Sequence, residues 1–171
     1  MDWHYKQFPV GFFDVIWASP PCETFSKMRH CHIGRKIKTI KSDSKAKTLI
    51  TKKVLWQDMI ETGLPPVYRT FEIIDYYKPS YYFLENPQTG HLKEFITNRP
   101  FIDVSYCRYG FPYRKDTRIW TNLSSNRFCG KLCNHTKPHS QIVGVNNTLT
   151  ERYAIPPKLL KRLFEAINPS P

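Results

Sequence analysis

The sequence predicts an α/β domain, and three observations carry that prediction. Two short apolar runs, 12–18 and 80–86, each end at proline; helix-spaced stretches lie between them; and the chain closes on an amphipathic run that follows a proline pair. With 171 residues, 40% hydrophobic and 15% aromatic, the expected organisation is one domain over 1–171 with a core of its own.

The first run, "FFDVIWA", reads as a buried strand because it is short, β-branched and stopped by Pro20 and Pro21. "VLWQDMIETG" and "PPVYRTFEIIDYYKP" have helical spacing, with Pro65 and Pro66 near a helix start and Pro79 beyond its end. "SYYFLEN" is the second strand, so strand, helix, strand forms a parallel unit. A third strand is expected in "FIDVSYC" and a fourth in "RIWTN". Residues 122–150 are polar and turn-rich and read as a small irregular insertion holding Cys and His. "IPPKLLKRLFEAI" predicts a final helix with Leu159, Leu160, Leu163, Phe164 and Ile167 on its buried side.

Five cysteines, an odd number, suit a reducing compartment with catalytic or metal-binding thiols rather than a disulfide framework. No run of about eighteen apolar residues could span a bilayer, and the start "MDWHYKQF" has no apolar signal core. An intracellular protein without a membrane partner is expected. A net charge of +12 points to a polyanion, nucleic acid first. Segment 27–53 alone carries +9 and reads as a basic, mobile loop.

In open α/β sheets ligands sit beyond the carboxyl ends of strands. The first strand ends in "SPPCETFS" and the second in "ENP", which brings Cys22 and Glu85 to one crevice. A thiolate and a carboxylic acid so placed suit addition to an electron-poor ring, with the acid engaging a ring nitrogen as the thiolate attacks.

These stretches resemble the motifs of the DNA cytosine-5 methyltransferases, especially the compact phage and viral type. "DVIWASPPCETFS" resembles the Pro-Cys motif, "FLENPQTG" the Glu-Asn motif, "CRYGFPYRKDTRIWTN" the Arg-rich strand segment, and "ERYAIPPKLLKRLFEAI" the final helix. The resemblance implies a partial Rossmann-like methyltransferase fold, the C-terminal half of the catalytic sheet. It also implies methyl transfer from S-adenosyl-L-methionine to carbon 5 of a cytosine flipped out of double-stranded DNA. Cys22 would add to carbon 6, Glu85 would hold the base edge, and Arg118, rather than Arg114, would lie beside both. Pro20, Pro21 and Asn86 would face the cofactor. Ser26, Lys27, Arg29, Arg35, Lys36, Lys38 and Arg114 would meet the DNA backbone. Tyr113 stands where the family has Gln.

The glycine-rich strand, turn and helix that hold the methionine part of the cofactor in this family have no counterpart in "MDWHYKQFPVGFF". The expectation is therefore a catalytic half that is inactive alone: a natural fragment, a subunit completed by a second polypeptide, or an incomplete stretch of a longer protein. The alternatives are a non-catalytic nucleic-acid-binding remnant, a tRNA-directed relative or, more weakly, an amino-methyltransferase. Separately, "CGKLCNHTKPH" sets Cys129, Cys133, His135 and His139 within reach of one tetrahedral zinc ion, although the spacing is not that of the common finger.

Overall fold

The structure, a computed structural model, describes residues 4–37, 47–142, 145 and 148–168. The main sheet has four strands in the order β1 (Val15–Ala18), β4 (Tyr81–Pro87), β6 (Asp116–Thr121), β5 (Phe101–Ser105). β1 and β4 are parallel, with Val15 opposite Tyr81 and Ala18 opposite Leu84. β6 runs antiparallel to both of its neighbours, so the sheet is mixed. A two-residue ribbon of β2 (Lys36–Ile37) and β3 (Thr48–Leu49) stands apart from it.

The crossover from β1 to β4 returns to the sheet through one helical run. α1 (Lys52–Asp58) passes through a π turn, Met59–Gly63, into α2 (Leu64–Tyr77). The sequence reads as two helices broken at Pro65 and Pro66. Prolines cannot donate to the preceding turn and their rings press on it, and the wider π turn accommodates this without ending the helix. Thr51 caps α1, its hydroxyl accepting from Val54 N at 3.2 Å. Lys78, at φ 48°, closes α2 in the left-handed conformation.

Strand alternation divides the core into two layers. Tyr82, Leu84 and Trp120 face α2, packing with Val67, Phe71 and Ile74, whereas Phe83, Val104 and Ile119 face α5 (Pro157–Ile167) through Leu159, Leu163 and Ile167. Burying each of those three side chains is worth about 1.5–3 kcal/mol. Phe164, expected on the buried side of α5, is instead exposed.

Among the described residues the insertion is irregular up to α4 (Leu149–Tyr153), but its first part is held against the sheet. Its backbone runs against β5 so closely that a Cβ on Gly130 would lie 2.2 Å from Asp103 O, and Ser105 N donates to Lys131 O at 2.9 Å. Among the described residues, no helix is long and apolar enough to cross a membrane.

Candidate active site

Cys22 follows the proline pair that ends β1 and opens the 3-10 turn Glu23–Phe25. Phe25 N donates to Cys22 O at 3.1 Å, and Phe25 is fully buried. Gly63 in the π turn sits directly beneath: a Cβ there would meet Thr24 Oγ1 at 2.3 Å and Phe25 Cζ at 2.8 Å. The turn that presents Cys22 is thus seated on a surface with no room for one more carbon.

Glu85 belongs to the neighbouring parallel strand and is 7% exposed. Its Oε1 accepts from Tyr106 OH at 3.0 Å and lies 3.5 Å from Lys115 Nζ. Lys115 precedes β6, and its ammonium donates to Arg152 O at 2.9 Å and stands 4.8 Å above the Tyr106 ring. On the other side of the thiol, Tyr153 OH donates to Glu23 Oε1 at 2.5 Å. Strand ends from the sheet and backbone from α4 therefore enclose Cys22, Glu85, Lys115 and Tyr106.

The thiol at rest is held in its neutral form. Burial pushes the Cys22 thiol up from its ordinary value of 9.0; the carboxylates of Glu23 and Glu85 push the same way, against the opposing pull of Lys115. Burial likewise raises Tyr106 far above the ordinary phenol, with Glu85 adding to it, so this hydroxyl stays a donor to the carboxylate.

Arg118 is not the cation of this site. Residues opposite one another on a ladder share a face, and Arg118 is opposite Asn86 and Asp103, whereas Glu85 is opposite Ile119. Arg118 is therefore turned to the other face of the sheet. There it makes a two-point bond to Asp103, 2.8 Å from Nε to Oδ1 and 2.8 Å from a terminal nitrogen to Oδ2, and stacks 3.4 Å over the Phe101 ring. Lys115 takes the position that the sequence assigned to Arg118. Antiparallel pairing supplies the signal for it, since the residue entering β6 must arrive beside the carboxyl end of β4.

Asn86, fully buried, donates through Nδ2 to Pro20 O at 3.1 Å and so ties the ends of β1 and β4 together; its Oδ1 is buried with no partner. Pro20 is half-buried and Pro21 exposed. Lys27, Arg35 and Lys36 are exposed, and Ser26 is half-buried. Lys38 lies outside the described residues. Arg29, expected at the DNA backbone, is instead committed within the fold: it pairs with Asp58 at 2.6 Å and donates to Thr24 O at 3.1 Å, fastening the basic segment to α1. Arg114 is exposed but bonded to Asp116, with Nε 2.8 Å from Oδ2.

The expected metal set is also revised. Cys133, His135 and His139 come together, but the fourth member is Cys107, from the turn after β5. Cys129 is exposed, and its thiol lies 3.8 Å from Gly130 O, outside this cluster.

No family profile matches the chain. It is 42% identical over 135 residues to a "Probable DNA (cytosine-5)-methyltransferase" of Frog virus 3 (isolate Goorha), a match spanning 78% of this chain and 56% of that protein. The chain thus corresponds to about half the length of this relative. That likeness, joined to the four motifs in their order, places the chain in the DNA cytosine-5 methyltransferase family, of the viral type.

Proposed function

We propose that this chain carries the base-modifying half of a DNA cytosine-5 methyltransferase, with Cys22 as nucleophile and Glu85 as the group that grips the target base. One observation carries the reading: a half-buried thiol after a proline pair lies within electrostatic reach of a buried carboxyl on the adjacent parallel strand, and that carboxyl is held from two sides by Tyr106 and Lys115.

A cytosine rotated out of double-stranded DNA enters this crevice. The Cys22 sulfur forms a bond to carbon 6 while the ring electrons move toward N3, which takes up the proton that the thiol has passed to the Glu85 carboxylate. Carbon 5 becomes nucleophilic as a result. After methylation, loss of the carbon 5 proton returns the electron pair to the ring and expels the sulfur as thiolate. Because the thiol is neutral at rest, its proton passes to the Glu85 carboxylate as the base arrives, and Lys115 is the cation placed to favour the thiolate.

S-adenosyl-L-methionine, when bound, supplies an electrophilic methyl group on a sulfonium sulfur. The residues present fit one side of it. Pro20 and Asn86 meet at the two strand ends, and the unpartnered Asn86 Oδ1 is a buried acceptor there. The glycine-rich cradle for its methionine part is not among residues 1–171. The outer edge of β1 supports completion by further chain, from the same or a second polypeptide. Among the described residues no strand pairs with that edge, and Phe13, Val15, Ile16, Trp17, Ile73 and Tyr77 line an apolar groove beside it. The exposed Lys27, Arg35 and Lys36, in the segment that follows Cys22, support phosphate contacts.

Hydrogen exchange at carbon 5 tests the thiol without the cofactor. Addition at carbon 6 lets carbon 5 take up a solvent proton, so reversal releases tritium from DNA containing 5-tritiated cytosine. Release is expected from the chain and should vanish in Cys22→Ser but persist in Cys31→Ser. DNA binding with no release, or release unchanged in Cys22→Ser, would assign the chain to non-catalytic binding.

A further inference from the structure

We propose that Cys107, Cys133, His135 and His139 form a structural zinc centre that fastens the insertion to the catalytic sheet. Their four donor atoms all lie within 4.8 Å of one another. Cys133 Sγ is 3.5 Å from His135 Nδ1 and 3.6 Å from His139 Nε2, and the two imidazoles meet edge to face with centroids 5.0 Å apart. In a tetrahedral site, bonds of about 2.3 Å to sulfur and about 2.0–2.1 Å to nitrogen put those two donors about 3.6 Å apart. Two of the six donor separations therefore already match edges of a zinc tetrahedron, and the others lie within 4.8 Å.

The site is built rather than accidental, because the backbone that carries it is fixed on both sides. Cys107 sits in the 3-10 turn Tyr106–Tyr109, which follows β5 directly. The opposing strand of the loop is pinned to that turn by three bonds: Ser105 N to Lys131 O at 2.9 Å, Lys131 N to Tyr109 OH at 3.1 Å and Cys133 N to Ser105 Oγ at 2.8 Å. Two thiolates with two imidazoles select zinc over the hard, oxygen-seeking cations. Four protein ligands leave no open position, which makes the centre structural and not catalytic. Binding releases the thiol protons of Cys107 and Cys133, and the resulting charges cancel that of the ion.

A connection to the base pocket follows from adjacency. Cys107 is next in sequence to Tyr106, whose hydroxyl holds Glu85. The ion would therefore brace the turn that positions this donor, and the insertion would be anchored to the pocket through it.

The test is metal content and coordination in the full chain purified without chelators. About one zinc per chain is expected in the wild type and in Cys129→Ser, and none in Cys107→Ser or His139→Asn. Replacement by cobalt(II) should give the strong visible bands of tetrahedral thiolate coordination, and Cys107 and Cys133 should resist alkylation until the metal is removed. A folded, metal-free wild type that takes up no cobalt would overturn the proposal even if the variants fail to fold. So would zinc retained in Cys107→Ser but lost in Cys129→Ser, or a disulfide found between Cys107 and Cys133.

Discussion

Lys115→Met tests the electrostatics of the base pocket directly. The ammonium and the Glu85 carboxylate are 3.5 Å apart, with side chains only 13% and 9% exposed. At an effective dielectric near 20, that separation corresponds to an attraction of about 5 kcal/mol, offset by the cost of desolvating both groups. Removing the lysine leaves a buried carboxylate whose one remaining strong partner is the Tyr106 hydroxyl. The expected loss is about 3–5 kcal/mol, or roughly 10 °C in melting temperature for a chain of this size. Glu85→Gln should cost less, about 1–2 kcal/mol, because the ammonium keeps the Arg152 carbonyl and the Tyr106 ring. The double variant strands neither charge, so it should be at least about 2 kcal/mol more stable than the sum of the single losses predicts. Urea melts of the four proteins supply the cycle. Losses that add to within about 0.5 kcal/mol, or a Lys115→Met protein as stable as wild type, would refute the pairing.

Gly63→Ala, which in an open helix would stabilise, is expected to cost about 1–2 kcal/mol here, because the added carbon collides with Thr24 and the buried Phe25. The same change should alter the rate of Cys22 alkylation, read by peptide mapping; a more stable protein with unchanged reactivity would show that the seat is not tight. For pH, a thiol held above 9.0 has little thiolate at neutrality, so Cys22 alkylation should climb with pH past the range of an ordinary cysteine. Glu23→Gln removes a charge that raises it and should move the profile to lower pH, whereas Lys115→Met removes the opposing charge and should move it higher. A profile insensitive to both substitutions would remove the carboxylate and the ammonium from the account.

The elements legible in the sequence were those set by local pattern. Proline-stopped apolar runs gave β1 and β4, and the spacing of Leu159, Leu163 and Ile167 gave α5. The junction at Gly63 was not legible, because two prolines signal a helix start equally well whether or not a π turn lies before it. Nor was the cation of the site. Arg118 and Lys115 differ by three positions, but the face each one occupies depends on which residue of β4 lies opposite, and that register is a long-range property. Cys107 was missed for a similar reason: it is 22 positions before Cys129 and joins Cys133 only because the loop doubles back along β5. Cys22 and Glu85 were legible because strand order and proline alone put their strand ends side by side.

The hydrogen bond from Tyr153 to Glu23 spans 130 positions of a 171-residue chain, and the bond from Lys115 to the Arg152 carbonyl spans 37. Local helices and the parallel strand pair can form while the ribosome is still making the rest. The enclosure of the thiol cannot, since its wall is synthesised long after Cys22 and closes a loop of that length. An incompletely translated chain would carry Cys22 at the end of a formed strand, open to solvent and without the lysine fixed beside it. Enclosure of Cys22 is thus a late step relative to the strands that carry it, and a truncation after β6 would remove it while leaving the four strands of the sheet in place.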